Sequence, residues 1–215
     1  RRPGGQSGAP RILTSGVRGL NQDWDVVVVG AMGEPEEMAV QRVGTRLTAL
    51  VGVGGAAVAG VAAPQISRRY DAKDMQAVQK IARRGAVQSL LLALPFVAAF
   101  LLFPEQILVL AFGADYAVGA STLRILCIGQ LINAAFGVLG VILNMTGQER
   151  YTVIGVAIAA VVATFLNLIL VPQFGINGAA LAQTVSFAIW NGLLAYFIYK
   201  RLDIVVVPFL PRKQD

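Results

Sequence analysis

The sequence predicts an all-α, polytopic membrane protein, and three observations carry that reading. Of its 215 residues 56% are hydrophobic and 14% charged, with a mean hydropathy of +0.65; soluble domains carry about 25% charged residues. The apolar residues gather into six runs, each near the roughly 20 residues that a spanning helix needs. Lys and Arg then sort onto alternate turns between those runs.

The same composition excludes several classes. The net charge of +6 is spread between apolar runs, not over one soluble basic face, so no nucleic-acid partner is expected. The chain has no His, which removes His-based acid–base catalysis and His metal sites. No metal and no cofactor are expected. The single Cys127 lies inside an apolar run; no intrachain disulfide can form, and it reads as a small packing residue.

Taken in order, residues 1–11 read as a Gly/Pro-rich linker or truncated start. The first residue is Arg and no signal peptide is visible, so the chain is expected to begin inside a longer protein. The first spanning segment, 12–32, carries Arg18, Asn21, Gln22 and Asp25 at i, i+3, i+4 and i+7, one polar stripe on a helix. An acidic turn at 33–37 leads into the second, 36–63. There Arg42 and Arg46 share a face at i, i+4, and Gly52, Gly55, Ala56, Ala59 and Gly60 allow close helix contact.

The third segment, 85–103, contains Pro95, which should kink it. A short interfacial helix is expected at 105–112, ended by Gly113. The fourth segment, 117–145, has Gln130, Asn133, Gly137, Gly140 and Asn144 stepping by threes and fours. The fifth, 151–171, pairs Thr164 with Asn167. The sixth, 178–200, aligns Gln183, Ser186 and Trp190. Residues 202–215 read as a cytoplasmic tail.

The loops test this division independently. Arg68, Arg69, Lys73, Lys80, Arg83 and Arg84 lie between the second and third segments, Arg150 between the fourth and fifth, and Lys200 and Arg201 at the end of the sixth. The intervening loops hold no Lys or Arg. Under the positive-inside rule, six crossings place both termini in the cytoplasm.

Ionised groups within apolar segments are costly and normally face a bundle interior or a watery cavity. The first hairpin is therefore expected to wall a hydrophilic cavity. Its lining is expected from Arg18, Asn21, Gln22, Asp25, Arg42 and Arg46, joined by Gln130, Asn133 and Asn167. The competing reading is snorkelling to the interface for Arg18 and Arg42, and interhelical hydrogen bonding for the Asn and Gln residues. Arg46, deeper than Arg42, is expected in the cavity, and Arg124 at the interface.

Several motifs fall in a familiar order. Asp25-Val26-Val27-Val28-Val29-Gly30 lies in the first segment, and Pro64-Gln65-Ile66-Ser67 closes the second. Phe112-Gly113-Ala114-Asp115-Tyr116 precedes Leu123-Arg124-Ile125-Leu126. Leu166-Asn167-Leu168, Val171-Pro172-Gln173-Phe174-Gly175 and Gly178-Ala179-Ala180 follow. The order resembles the second half of polysaccharide (O-antigen type) flippases of the multidrug/oligosaccharidyl-lipid/polysaccharide exporter superfamily. It covers residues 13–203, and the weight lies in order and spacing, since each motif is short.

The resemblance implies a six-helix lobe, one half of a two-lobe transporter with a central cavity. It implies alternating-access export of an undecaprenyl-diphosphate-linked oligosaccharide across a bacterial cytoplasmic (inner) membrane, and no enzymatic activity. The implied partners are the bilayer, that substrate and the missing N-terminal six-helix lobe. Arg18, Arg42 and Arg46 suit the diphosphate, because a guanidinium stays charged and binds phosphate oxygens in pairs. Asp25 is the expected coupling residue for H⁺ or Na⁺, or an internal partner of an arginine.

Three alternatives are weighed. A multidrug or metabolite cation antiporter of the same superfamily shares the fold but should favour acidic cavity residues. A membrane-embedded polysaccharide polymerase needs a catalytic base or metal in a sizeable loop, and every loop here is short. A structural subunit would not need the aligned charges.

Overall fold

The computed structural model describes residues 35–204, with side chains from residue 39 onward. The expected segment 12–32, with Arg18, Asn21, Gln22 and Asp25, lies outside the described residues, as does 205–215. Every described element is helical. α1 is Pro35–Asp71, α2 Met75–Leu102 and α3 Pro104–Phe112; a 3₁₀ turn at Ala114–Gly119 leads to α4, Ala120–Phe136. α5 is Leu139–Met145 and α6 Glu149–Leu202. Four described helical stretches are long and apolar enough to cross a membrane.

α6 is two crossings. At Gly175 the backbone leaves helical geometry, at φ 55° and ψ −135°, a left-handed φ that favours glycine. The Tyr151 and Phe197 rings are 4.9 Å apart. A side chain on Gly155 would meet Leu194 at 3.1 Å, and one on Gly178 would collide with the Leu170 carbonyl. Those pairs meet only if arm 149–174 and arm 176–202 run antiparallel. The uncharged stretch 172–177 is thus a tight helical hairpin.

α1 and α2 both run past the expected apolar ends. Pro64 was expected to close the second segment, yet α1 continues to Asp71. Proline removes one backbone bond and strains its turn. The two turns beyond it are held by Ile66, which is completely buried among Val78, Ala82 and Ile198. α2 begins at Met75, ten residues before the apolar run, because Asp74 caps it by accepting from the Ala77 N–H at 2.9 Å. Lys73, at φ 58°, turns the chain between them, and Asp74 N–H donates to the Arg69 carbonyl at 2.9 Å.

α3 carries Pro104 in its first turn and ends at Gly113, φ 106°. The single helix expected at 117–145 is divided. Gly137, at φ 64°, stands against α2, where an added Cβ would lie 2.6 Å from Ala86 Cα. Val138 packs over Gly85. The break interrupts the polar spacing read from Gln130 to Asn144, because the residues after Gly137 start a new helix.

The core has two layers. Ile66, Val78, Ile142, Leu143, Tyr151 and Ile198 fill one end. Val51, Val97, Phe100, Leu108, Leu123 and Cys127 fill the other. The charges follow the layers. Around the first, Arg150 and Arg201 both stand over the Tyr151 ring, at 4.8 and 5.1 Å, beside the basic α1–α2 turn. Near the second lie Glu105, Asp115 and the uncharged α6 hairpin, whose Asn177 Oδ1 accepts from Ser121 and Thr122.

Candidate functional site

On the face of α1 opposite the core, charge and exposure coincide within an apolar helix. Val40, Gly44, Thr48, Val51, Ala62 and Ile66 point inward at three-, four- and eleven-residue steps. Arg42 and Arg46 lie on the other side, both exposed, one turn apart. With them along that side run the exposed residues Ala49, Val53, Ala56, Ala57 and Gly60. Outside Leu50, Val53 and Val61, this face is built of small side chains.

The depth of the pair follows from helix geometry. Counting back from Arg68 at 1.5 Å per residue, Arg46 stands about 33 Å away along α1 and Arg42 one turn beyond. That span is close to the roughly 30 Å of a hydrocarbon layer, so the pair lies towards the end of α1 remote from the basic turn. Thr45 and Thr48 beside them bond back to their own helix, to Gln41 O and Gly44 O, each at 3.0 Å. Neither hydroxyl proton is left for a ligand.

Of the other expected residues that are described, Gln130 comes nearest to α1. It is half-buried on α4, with its side-chain oxygen 4.0 Å from the position of a Cβ on Gly52 of α1. Asn133 turns inward and accepts from Asn191 Nδ2 of the second α6 arm at 3.2 Å. Asn167 is wholly enclosed in the lobe. The structure therefore brings Arg42, Arg46 and Gln130 to one side and leaves Asn133 and Asn167 inside. Arg124 is exposed and its Nε donates to Leu101 O at 3.3 Å, satisfying one of the open carbonyls at the end of α2.

Sequence spacing missed the partners of the inward residues. Asn191 joins Asn133, and Thr184 Oγ1 donates to the Ile125 carbonyl at 3.0 Å across a contact where Gly129 leaves room. Ser186, expected on the polar face of its helix, bonds back to Ala182 O at 2.7 Å. The repeat of small and polar residues on both helices was the available signal, since such pairs glue membrane helices together.

From residue 39 onward, the described carboxylates stand at helix ends or in turns: Asp71, Asp74, Glu105, Asp115, Glu149 and Asp203. Among the described residues no Asp or Glu lies inside an apolar span. No group of three or more His, Cys, Asp or Glu side chains able to hold a metal ion occurs among them either.

The surroundings of this arrangement are shared with known proteins. The chain is 26% identical over 193 residues to the "Probable low-salt glycan biosynthesis flippase Agl15" of Haloferax volcanii, covering 89% of this chain and 41% of that one. An uncharacterized membrane protein of Methanocaldococcus jannaschii is 29% identical over 126 residues, 59% of this chain and 29% of its own. Among solved structures, the outward-facing conformation of a multidrug resistance MATE family transporter of the MOP superfamily superposes with a TM-score of 0.75 at 21% identity. It covers 95% of this chain and 47% of that one.

A MOP superfamily transporter from Pyrococcus furiosus, described with a binding pocket of reverse polarity suggesting a different function, gives 0.74 at 21% identity, with the same coverage. The chain spans less than half the length of these relatives, and its fold is that of one half of a two-lobe transporter. A family model described as MatE matches residues 20–172, more than half of the chain, and the protein belongs to that family of membrane transporters.

Proposed function

We propose that this chain is the C-terminal lobe of a flippase for lipid-linked oligosaccharides, working by alternating access. The observation that carries the reading is the sign of the charge. Arg42 and Arg46 stand exposed on the outward, small-residue face of α1, while the described spans hold no carboxylate. A cation carrier would need the opposite sign; a diphosphate-linked head group fits this one.

In this scheme the sugar and diphosphate cross between the lobes and the polyprenyl tail stays in lipid. Arg42 and Arg46 hold the diphosphate at the mouth remote from the basic turn. Gln130 offers hydrogen bonds to the sugar at the rim. Arg18, Asn21, Gln22 and Asp25 extend the polar wall, with Asp25 coupling to H⁺ or Na⁺, and Asn133 and Asn167 hold the lobe's shape instead of touching substrate. The carrier lipid is undecaprenyl diphosphate if the host is bacterial, where the product would be O-antigen of lipopolysaccharide and the site the inner membrane, with both termini cytoplasmic.

The test is complementation of surface polysaccharide in a flippase-deficient strain by the full-length parent. The Arg42→Ala/Arg46→Ala double variant, present at normal membrane levels, is expected to lose at least tenfold of the exported glycan. Full export by that variant overturns the diphosphate role. A second reading, a multidrug or metabolite antiporter, is favoured by the acidic Asp25 in the first segment. It predicts that the parent protects cells against cationic dyes and that Asp25→Asn abolishes the protection, with no effect of the arginine changes.

A further inference from the structure

The α1–α2 turn holds a second cationic site that the transport reading does not use. A cavity of about 340 Å³ opens there, lined by Gln65, Arg68 and Arg69 of α1 and by Lys80 and Arg84 of α2. Arg69 is paired with Asp74 at 3.5 Å, while Arg68, Lys80 and Arg84 face the same hollow with no carboxylate on them among the described residues. Between Arg68 and Arg84 the chain has six Lys and Arg against two Asp. So many like charges converging on one hollow repel each other unless an anion occupies it.

The position of the hollow selects the anion. α2 is 28 residues long, about 42 Å, whereas the hydrocarbon layer needs only about 30 Å. Its first turns therefore stand outside the hydrocarbon, at the height where lipid phosphates lie. Below Arg84 on the same face run Val87, Gln88 and Leu91, all exposed; Arg83, Arg84, Val87 and Gln88 themselves line an adjoining hollow. A cationic cup at headgroup height that opens onto an exposed apolar stripe matches a phosphate joined to an acyl chain.

We propose that the α1–α2 corner binds the phosphate headgroup of an anionic glycerophospholipid of the surrounding leaflet, whose acyl chain lies along Val87 and Leu91. Bridging Arg68 to Lys80 and Arg84, the lipid ties α1 to α2 at the basic end of the lobe. The site is independent of what the transporter carries.

The test uses the full-length parent in nanodiscs of equal parts phosphatidylglycerol and phosphatidylcholine, with lipids retained after extraction counted by native mass spectrometry. The wild-type protein is expected to retain phosphatidylglycerol over phosphatidylcholine. Each cation near a membrane surface contributes about fivefold in binding, so Lys80→Gln/Arg84→Gln should cut that preference about 25-fold. Arg84→Lys, which keeps the charge, should preserve most of it. Arg150→Gln/Arg201→Gln, neutralising two other cations of the basic end, should leave it intact. An equal loss in that control pair, or no loss in Lys80→Gln/Arg84→Gln, overturns the site. Displacement of the retained lipid by inorganic pyrophosphate at equal concentration overturns the lipid assignment in favour of a free anion.

Discussion

The outer faces of α1 and of the first α6 arm are equally bare in this lobe, yet they are made of different material. Arm 149–174 exposes Val153, Ile154, Ile158, Val161, Phe165, Leu168 and Ile169, a continuous sheath of large apolar side chains. α1 exposes Arg42, Arg46, Ala49, Ala56, Ala57 and Gly60, with Leu50, Val53 and Val61 as its larger apolar groups. Large aliphatic groups lose nothing in lipid, while small residues and cations gain there only from a protein or water neighbour. Exposure alone would merge the two faces; side-chain size and charge separate them into a face suited to lipid and a face suited to a protein or water neighbour.

A charge scan breaks the comparison if it is false. Ala57 and Val161 stand at similar depth, each about 16 Å along its helix from Arg68 or Arg150. Val161→Arg should cost about 3 kcal/mol of insertion free energy and sharply reduce the parent's level in the membrane. Ala57→Arg should accumulate normally. Equal damage from both would put α1's outer face in lipid.

Solvent access sharpens it further. In a parent without Cys127, a cysteine at Ala49 should react with a membrane-impermeant maleimide at least tenfold faster than one at Ile158. Comparable rates would remove the aqueous side. The smallest effect concerns the inward polar residues. Asn191→Ala, which removes the bond to Asn133, should destabilise the lobe by about 0.6 kcal/mol, read as a small shift in thermal unfolding in detergent. Loss of transport at full stability would instead return Asn133 to the substrate path.

Among the described residues, hydropathy marked the helices long and apolar enough to span a membrane, and the charge-free stretch 172–177 is where the chain reverses at Gly175. Hydropathy could not place the ends of α1 and α2. A hydropathy reading sees the part of a helix that suits lipid, and the turns around Arg68 and Lys80 are helix held by Ile66 packing and by the Asp74 cap. The break at Gly137 was hidden for a related reason. Glycine is common inside membrane helices, and only the structure shows that this one has a positive φ and stands against Ala86. On the site, the four-residue spacing of Arg42 and Arg46 showed that they share a face. Which way that face points depends on where α2 and α4 pack, and that is not written locally. Asn133 reads the same in either role until Asn191 is found beside it.

The gathering of nine described cations at one end, from Arg68 to Arg201, bears on how the lobe is made. During synthesis each hairpin takes a direction through the membrane; with the basic turns on the cytoplasmic side, as the positive-inside rule expects, an inverted lobe would have to drag those cations outward against a potential negative inside. At about 2.3 kcal/mol per charge for 100 mV, inversion costs about 20 kcal/mol, far more than thermal motion supplies. On that expectation the basic turns act as a latch on the lobe's direction through the membrane, and moving them to the other end would favour the reverse insertion.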